Sequence, residues 1–158
     1  MHTISRIFAT LLLCFVLFPS FLAAQDKGTV LIASENTRFK KALVAELDGL
    51  FTAAGYSTTI VENSKKDLEK YNAADFSAVF ITNSGVNSHV RPWVLEWLDR
   101  NRASGTYILL HTTQIRKWDV EAPVDAVTSA SSKGDVKSLA QEYFRQILQE
   151  INSTDTTE

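Results

Sequence analysis

Thr29-Val30-Leu31-Ile32-Ala33 is apolar at odd and even positions alike, and it stops abruptly at Ser34-Glu35-Asn36-Thr37. A run rich in β-branched residues with no polar face is what a parallel strand buried between two layers of helix requires. Beyond Thr37 the period changes. Phe39, Leu43, Leu47, Leu50, Phe51 and Ala54 recur at three- and four-residue steps, predicting a helix that Gly55 ends. Strand, polar turn and helix form the first unit of an α/β fold.

The alternation continues outward from there. Ser57-Thr58-Thr59-Ile60-Val61 reads as a second strand, and 65–71 as a short helix burying only Leu68 and Tyr71. Ala78-Val79-Phe80-Ile81-Thr82 is a third strand, again apolar on both faces. Pro92 suits the first turn of a helix carrying Trp93, Val94, Trp97 and Leu98. Gly105 closes that helix, and Tyr107-Ile108-Leu109-Leu110 is a fourth strand ending at His111. Residues 124–130 form a fifth strand. A last helix, capped by Ser131 or Ser132, carries a sustained stripe of Val136, Leu139, Ala140, Tyr143, Phe144, Ile147, Leu148 and Ile151. Strand alternating with helix predicts a parallel sheet covered on both faces. Residues 112–123 are too sparse in apolar positions for a full covering helix. The fourth helix is therefore shortened, or the last strand is not simply parallel.

On these elements the chain resembles the flavodoxin-like family. The matches are Val30-Leu31-Ile32-Ala33-Ser34, Asn36-Thr37 opening the first helix, and 124–131 before the last. The resemblance implies a three-layer α/β sandwich with a five-stranded parallel sheet in the order 2-1-3-4-5. Receiver domains share that topology, but Ile81-Thr82-Asn83 stands where their phosphorylated aspartate would be. A second resemblance, to the glutamine-amidotransferase-like fold of the trehalose-utilisation family, covers only 105–111.

Residues 1–24 have the parts of an export signal. His2 and Arg6 form the short polar start, 7–18 are apolar apart from Thr10, and Leu22-Ala23-Ala24 precedes Gln25. The apolar run falls short of the roughly 20 residues a spanning helix needs. The expectation is cleavage after Ala24, a periplasmic or secreted product, and no permanent membrane segment. Residues 25–151 are then the domain and 152–158 a polar, disordered tail. The single cysteine, Cys14, and the single methionine leave with the signal. Disulfides, thiol redox chemistry and thiolate metal sites leave with them. The formal net charge is −2 and no basic tract is present, which disfavours nucleic acid as a partner.

Ligands of such sheets bind beyond the carboxyl ends of the strands, near the point where strand order reverses. The family resemblance implies FMN there, contacted by Ser34, Asn36, Thr37, Thr82, Asn83, His111, Thr112 and Trp118. The 34–37 loop departs from the family's phosphate loop. It is two residues shorter, lacks the glycine, and places the negative Glu35 where a phosphate would sit. Its other reading is a helix cap, with Asn36 or Thr37 as the capping residue and Glu35 complementing the helix dipole.

His89 and His111 read either as a loop histidine and a capped strand end, or as a pair able to hold a metal or supply a general base. Their spacing matches no metal motif, so no metal is assigned. Trp93 and Trp97, one helical turn apart, read as a packed face or, for Trp93, as a ring for a flavin. Trp118, beside Arg116 and Lys117, reads as a ligand contact or as a plug over the sheet. The hydroxyls at 128–132 read as a helix cap or an anion seat.

These residues lead to an exported flavodoxin-like binding or electron-transfer module with a degenerate FMN site. The alternative is a non-enzymatic periplasmic interaction or scaffold domain that has lost flavin. Enzymatic activity stays open, because a hydrolase built on His111 would need a nucleophile or metal that the sequence does not display. The sparse 112–123 connection predicts pairing through that face, with a second copy or a periplasmic protein, centred on Trp118.

Overall fold

The computed structural model describes residues 27–84, 89–113, 120–130 and 135–155. The export signal, Trp118 and the last three residues of the tail therefore lie outside the described residues. Strands β1 (Thr29–Ser34), β2 (Ser57–Glu62), β3 (Ala78–Ser84), β4 (Tyr107–Thr113) and β5 (Ala126–Ala130) form one sheet. Its order is β2-β1-β3-β4-β5 and every neighbouring pair is parallel. Helices α1 (Arg38–Ala53), α2 (Lys65–Leu68), α3 (Pro92–Asn101) and α4 (Val136–Asp155) cover it. This is the flavodoxin-like sandwich expected from the sequence.

The alternation of the pleat divides the core in two. Val30, Ile32, Phe80 and Leu109 pack on one face with Leu43, Leu47 and Phe51 of α1 and Ala140, Tyr143 and Ile147 of α4. Leu31, Ala33, Val79, Ile81, Ile108 and Leu110 pack on the other with Leu68 of α2 and Val94, Trp97 and Leu98 of α3. Val30 to Ala33 are all 0% exposed, which is why β1 had to be apolar at every position. Each large side chain so enclosed contributes about 1.5–3 kcal/mol.

Gly55 ends α1 for a geometric reason. Its φ is 89°, and the closing bonds run from Gly55 N to Thr52 O and from Tyr56 N to Phe51 O, each 3.0 Å. That is the six-to-one and five-to-two pattern of a left-handed glycine cap. The Tyr56 and Phe51 rings meet edge to face at 6.2 Å across it. α2 is shorter than predicted, because the chain turns to dock on α3. Tyr71 O accepts from Trp97 Nε1 at 2.9 Å, and Ala73 N donates to Asn101 Oδ1 at 2.7 Å.

At the carboxyl half one of two alternatives holds and one expectation changes. The connection into β5 shows no helix over 120–125, yet β5 pairs parallel with β4 from Leu109↔Ala126 to Thr113↔Ala130. Val120, Ala122 and Val124 pack on the α3 face. At the other end, the predicted tail does not begin at Asn152. α4 continues to Asp155, and the Ser153 and Thr154 hydroxyls donate back to Glu150 O. Short polar side chains bonded to the preceding turn are compatible with helix.

Candidate functional site

The strand order reverses between β1 and β3. β1 leads into α1 on one face of the sheet and β3 leads towards α3 on the other, and at such a reversal sheets of this kind have their ligand crevice. Both β3 and β4 continue past their apolar runs, and the polar pairs Thr82↔His111, Asn83↔Thr112 and Ser84↔Thr113 extend the sheet to that edge. Thr82, Asn83, His111 and Thr112 are each 0% exposed. Predicted contact residues therefore do gather at the carboxyl edge, but inside strands instead of on loops.

The turn after β1 is closed by bonds of its own. Glu35 N donates to Thr82 Oγ1 at 3.0 Å, and Thr82 Oγ1 donates to Ser34 Oγ at 3.3 Å. Thr37 N donates to Glu35 O at 2.9 Å, and Thr37 Oγ1 caps α1 by accepting from Lys40 N at 3.3 Å. Of the two capping candidates, Thr37 is the cap. Asn36 is exposed.

Glu35 turns its carboxylate inward. Oε2 is ion-paired with Lys40 Nζ and accepts from Ser84 Oγ at 3.1 Å, while Lys40 Nζ donates to the same hydroxyl at 2.7 Å. On its other side, Oε1 lies 3.8 Å from Arg91 Nε. Arg91, the residue before α3, thus reaches from the β3 side to the turn after β1. Burial pushes the Lys40 ammonium below its usual pKa, and the Glu35 carboxylate opposes that shift.

Lys40, Ser84 and Arg91 escaped the sequence reading. The signal was present for Lys40. It precedes Val44, Leu47 and Phe51 by four, seven and eleven residues, so it falls on the buried stripe of α1.

His111 does not project from the ligand edge. It lies on the α1 and α4 face among Phe39, Phe80 and Tyr143, with ring centroids at 6.2, 6.3 and 5.4 Å. Nδ1 is 3.1 Å from the Tyr143 hydroxyl. Burial first, and the Lys40 charge second, lower its pKa from 6.5 to about 4, so the ring is neutral at pH 7. His89 is exposed, and the two histidines do not form one site. Among the described residues there is no group of three metal-ligating side chains.

Trp97 is a core residue, 1% exposed, whereas Trp93 is half-buried beside the crevice. Asn63 holds Trp93 in place, accepting from its Nε1 at 3.1 Å and donating to Thr82 O at 2.6 Å. The Arg91 guanidinium lies 5.4 Å from the centroid of the Trp93 ring.

Four buried side-chain atoms among the described residues lack a hydrogen-bond partner: Asn83 Nδ2, Arg91 Nε, His111 Nε2 and Thr113 Oγ1. All lie at the carboxyl ends of β3 and β4 or immediately before α3. Buried polar atoms are nearly always paired, so such a concentration at one edge marks a place built to meet something else.

No protein-family model and no curated protein sequence matches this chain. Solved structures do. The flavodoxin of Megasphaera elsdenii superposes with a TM-score of 0.54 at 14% identity, over 73% of this chain and 98% of that one. The flavodiiron protein of Giardia intestinalis gives 0.53 at 16% identity over 79% of this chain, which spans 37% of that protein's length. A CheY-like receiver domain from Methanospirillum hungatei gives 0.50 at 13% identity, over 79% of this chain and 97% of the other. These likenesses establish the flavodoxin-like fold. At such identities they carry nothing further.

A flavin phosphate does not fit the 34–37 turn. At that turn the Glu35 carboxylate is ion-paired with Lys40, and the Glu35 and Thr37 N–H groups already donate within the protein.

Proposed function

We propose that this chain is an exported flavodoxin-like binding module that takes a small ligand in the crevice between the ends of β1 and β3. The observation that carries this reading is that Asn83 Nδ2 and Arg91 Nε, both buried and without a hydrogen-bond partner, lie at the end of β3 and immediately before α3. The phosphate-binding turn of the fold is here a closed structural element, with Glu35 as its own anion. No reaction step follows from these groups: His111 is neutral and enclosed, and no nucleophile stands beside it.

Electron transfer through FMN is the second reading, supported by the likeness to flavodoxins and by the half-buried Trp93 ring beside the crevice. Flavin would then have to be held without the 34–37 turn. The visible spectrum of protein purified from its native host separates the two. A colourless protein is expected, and a yellow one carrying an FMN per chain would overturn the binding-module reading in favour of electron transfer.

Export to the periplasm or beyond belongs to the same proposal and rests on the 1–24 pattern; N-terminal sequencing should begin near Gln25. So does association through the 112–123 side of the sheet. Val127 of β5 is 40% exposed on the face that a full helix between β4 and β5 would cover.

A further inference from the structure

We infer that the ligand of this crevice carries an oxyanion, a carboxylate or a phosphate, that docks on Asn83 and Arg91 at the start of α3. The inference rests on the crevice reading above and adds the charge class of the ligand.

The orientation of the Asn83 amide is not arbitrary. Its Oδ1 accepts from Arg91 N at 3.0 Å, and only the carbonyl end of the amide can accept. The free end is therefore the NH2, which is a donor, wholly buried, and unpartnered among the described residues. Arg91 Nε is a second buried donor without a hydrogen bond, since 3.8 Å to Glu35 is an ion-pair distance and too long for one. Neither group can accept, so both call for an acceptor.

Charge and dipole point the same way. Lys40 and Arg91 together face one carboxylate, leaving a positive charge in excess. Arg91 occupies the N-cap position of the ten-residue α3 but gives it no side-chain cap, and Pro92 begins the helix. The positive end of α3 thus meets two unmet donors, one of them on a guanidinium, an arrangement that favours negative charge. The ammonium of Lys40 is buried on the opposite side of Glu35 and is already engaged. The contact with the Trp93 ring steadies the guanidinium at the crevice, and Trp93 supplies an optical reporter.

The test titrates the full chain with inorganic phosphate and with acetate, against chloride at equal ionic strength, following tryptophan fluorescence and melting temperature. Saturable binding of at least one oxyanion is expected. Asn83→Asp keeps the acceptor for Arg91 N and the size of the side chain, but replaces the free donor with a carboxylate. It should weaken oxyanion binding by about tenfold or more. Arg91→Gln should do the same and covers the case in which Asn83→Asp does not fold. Tighter phosphate than acetate points to a phosphorylated ligand, and the reverse to a carboxylic acid. Binding unchanged in both variants, or no saturable response to either anion, overturns the inference. A neutral molecule co-purifying with the chain overturns the charge class and leaves the crevice standing, whereas a bare chain removes the crevice reading itself.

Discussion

The Lys40 ammonium lies directly against the Glu35 carboxylate beneath the turn that opens α1, with the lysine side chain 1% exposed and the glutamate 14%. Removing one member of such a pair leaves an uncompensated buried charge, which costs more than the pair contributes. Because Arg91 still faces the carboxylate, Lys40→Met should lose about 1–3 kcal/mol in urea denaturation at pH 7. Adding Glu35→Gln should restore most of that loss. Equal losses in the single and double variants would mean that the two groups are not coupled.

Stability should also depend on His111. Its folded pKa, about 4, lies below the 6.5 of the free side chain, so the unfolded chain binds the extra proton between those values. The contribution is fully present above pH 6.5 and is lost as pH falls towards 4. Its full size is about 3 kcal/mol, from roughly 1.4 kcal/mol per pH unit. His111→Asn should flatten the fall in unfolding free energy across that window relative to the parent. Parallel pH profiles would contradict the burial assigned to this ring.

Gly55 holds a φ of 89° to close α1. Gly55→Ala should cost about 1–2 kcal/mol through the left-handed conformation alone. The measurement is the urea midpoint at constant slope; an unchanged midpoint would mean that the cap is not as described.

Val127 gives a direct handle on association. If the β5 side pairs two copies or a partner, Val127→Lys should shift sedimentation towards the monomer with little change in melting temperature, since the side chain is 40% exposed. A parent that sediments as a monomer at every concentration tested leaves no role for that face in self-association.

The fold was legible because every sheet strand but β2 and β5 is apolar on both faces, and because Gly55 and Pro92 stand where helices stop and start. The strand ends were not legible. Asn83-Ser84 and Thr112-Thr113, beyond the strand ends read at Thr82 and His111, look like loop, yet backbone pairing between β3 and β4 carries the ladder through them regardless of side-chain polarity. Thr82, Asn83 and Thr112 lie side by side at the ends of β3 and β4, whereas His111 turns to Phe39 and Tyr143 on the α1 and α4 face. Glu35 was read for its effect on a helix dipole, when its partner is the ammonium one turn into that helix. A buried lysine is rare enough that pattern reading assigns it to solvent, and only packing reveals the exception.

On the proposed reading, the crevice between β1 and β3 holds a small molecule without seating a flavin phosphate in the 34–37 turn. Native mass spectrometry of the chain purified from its own host tests this directly. The predicted spectrum shows the chain plus one small, non-flavin molecule, lost on collisional activation and absent from Asn83→Asp. A bare-chain mass in every charge state, or an adduct with the mass of FMN, would contradict it.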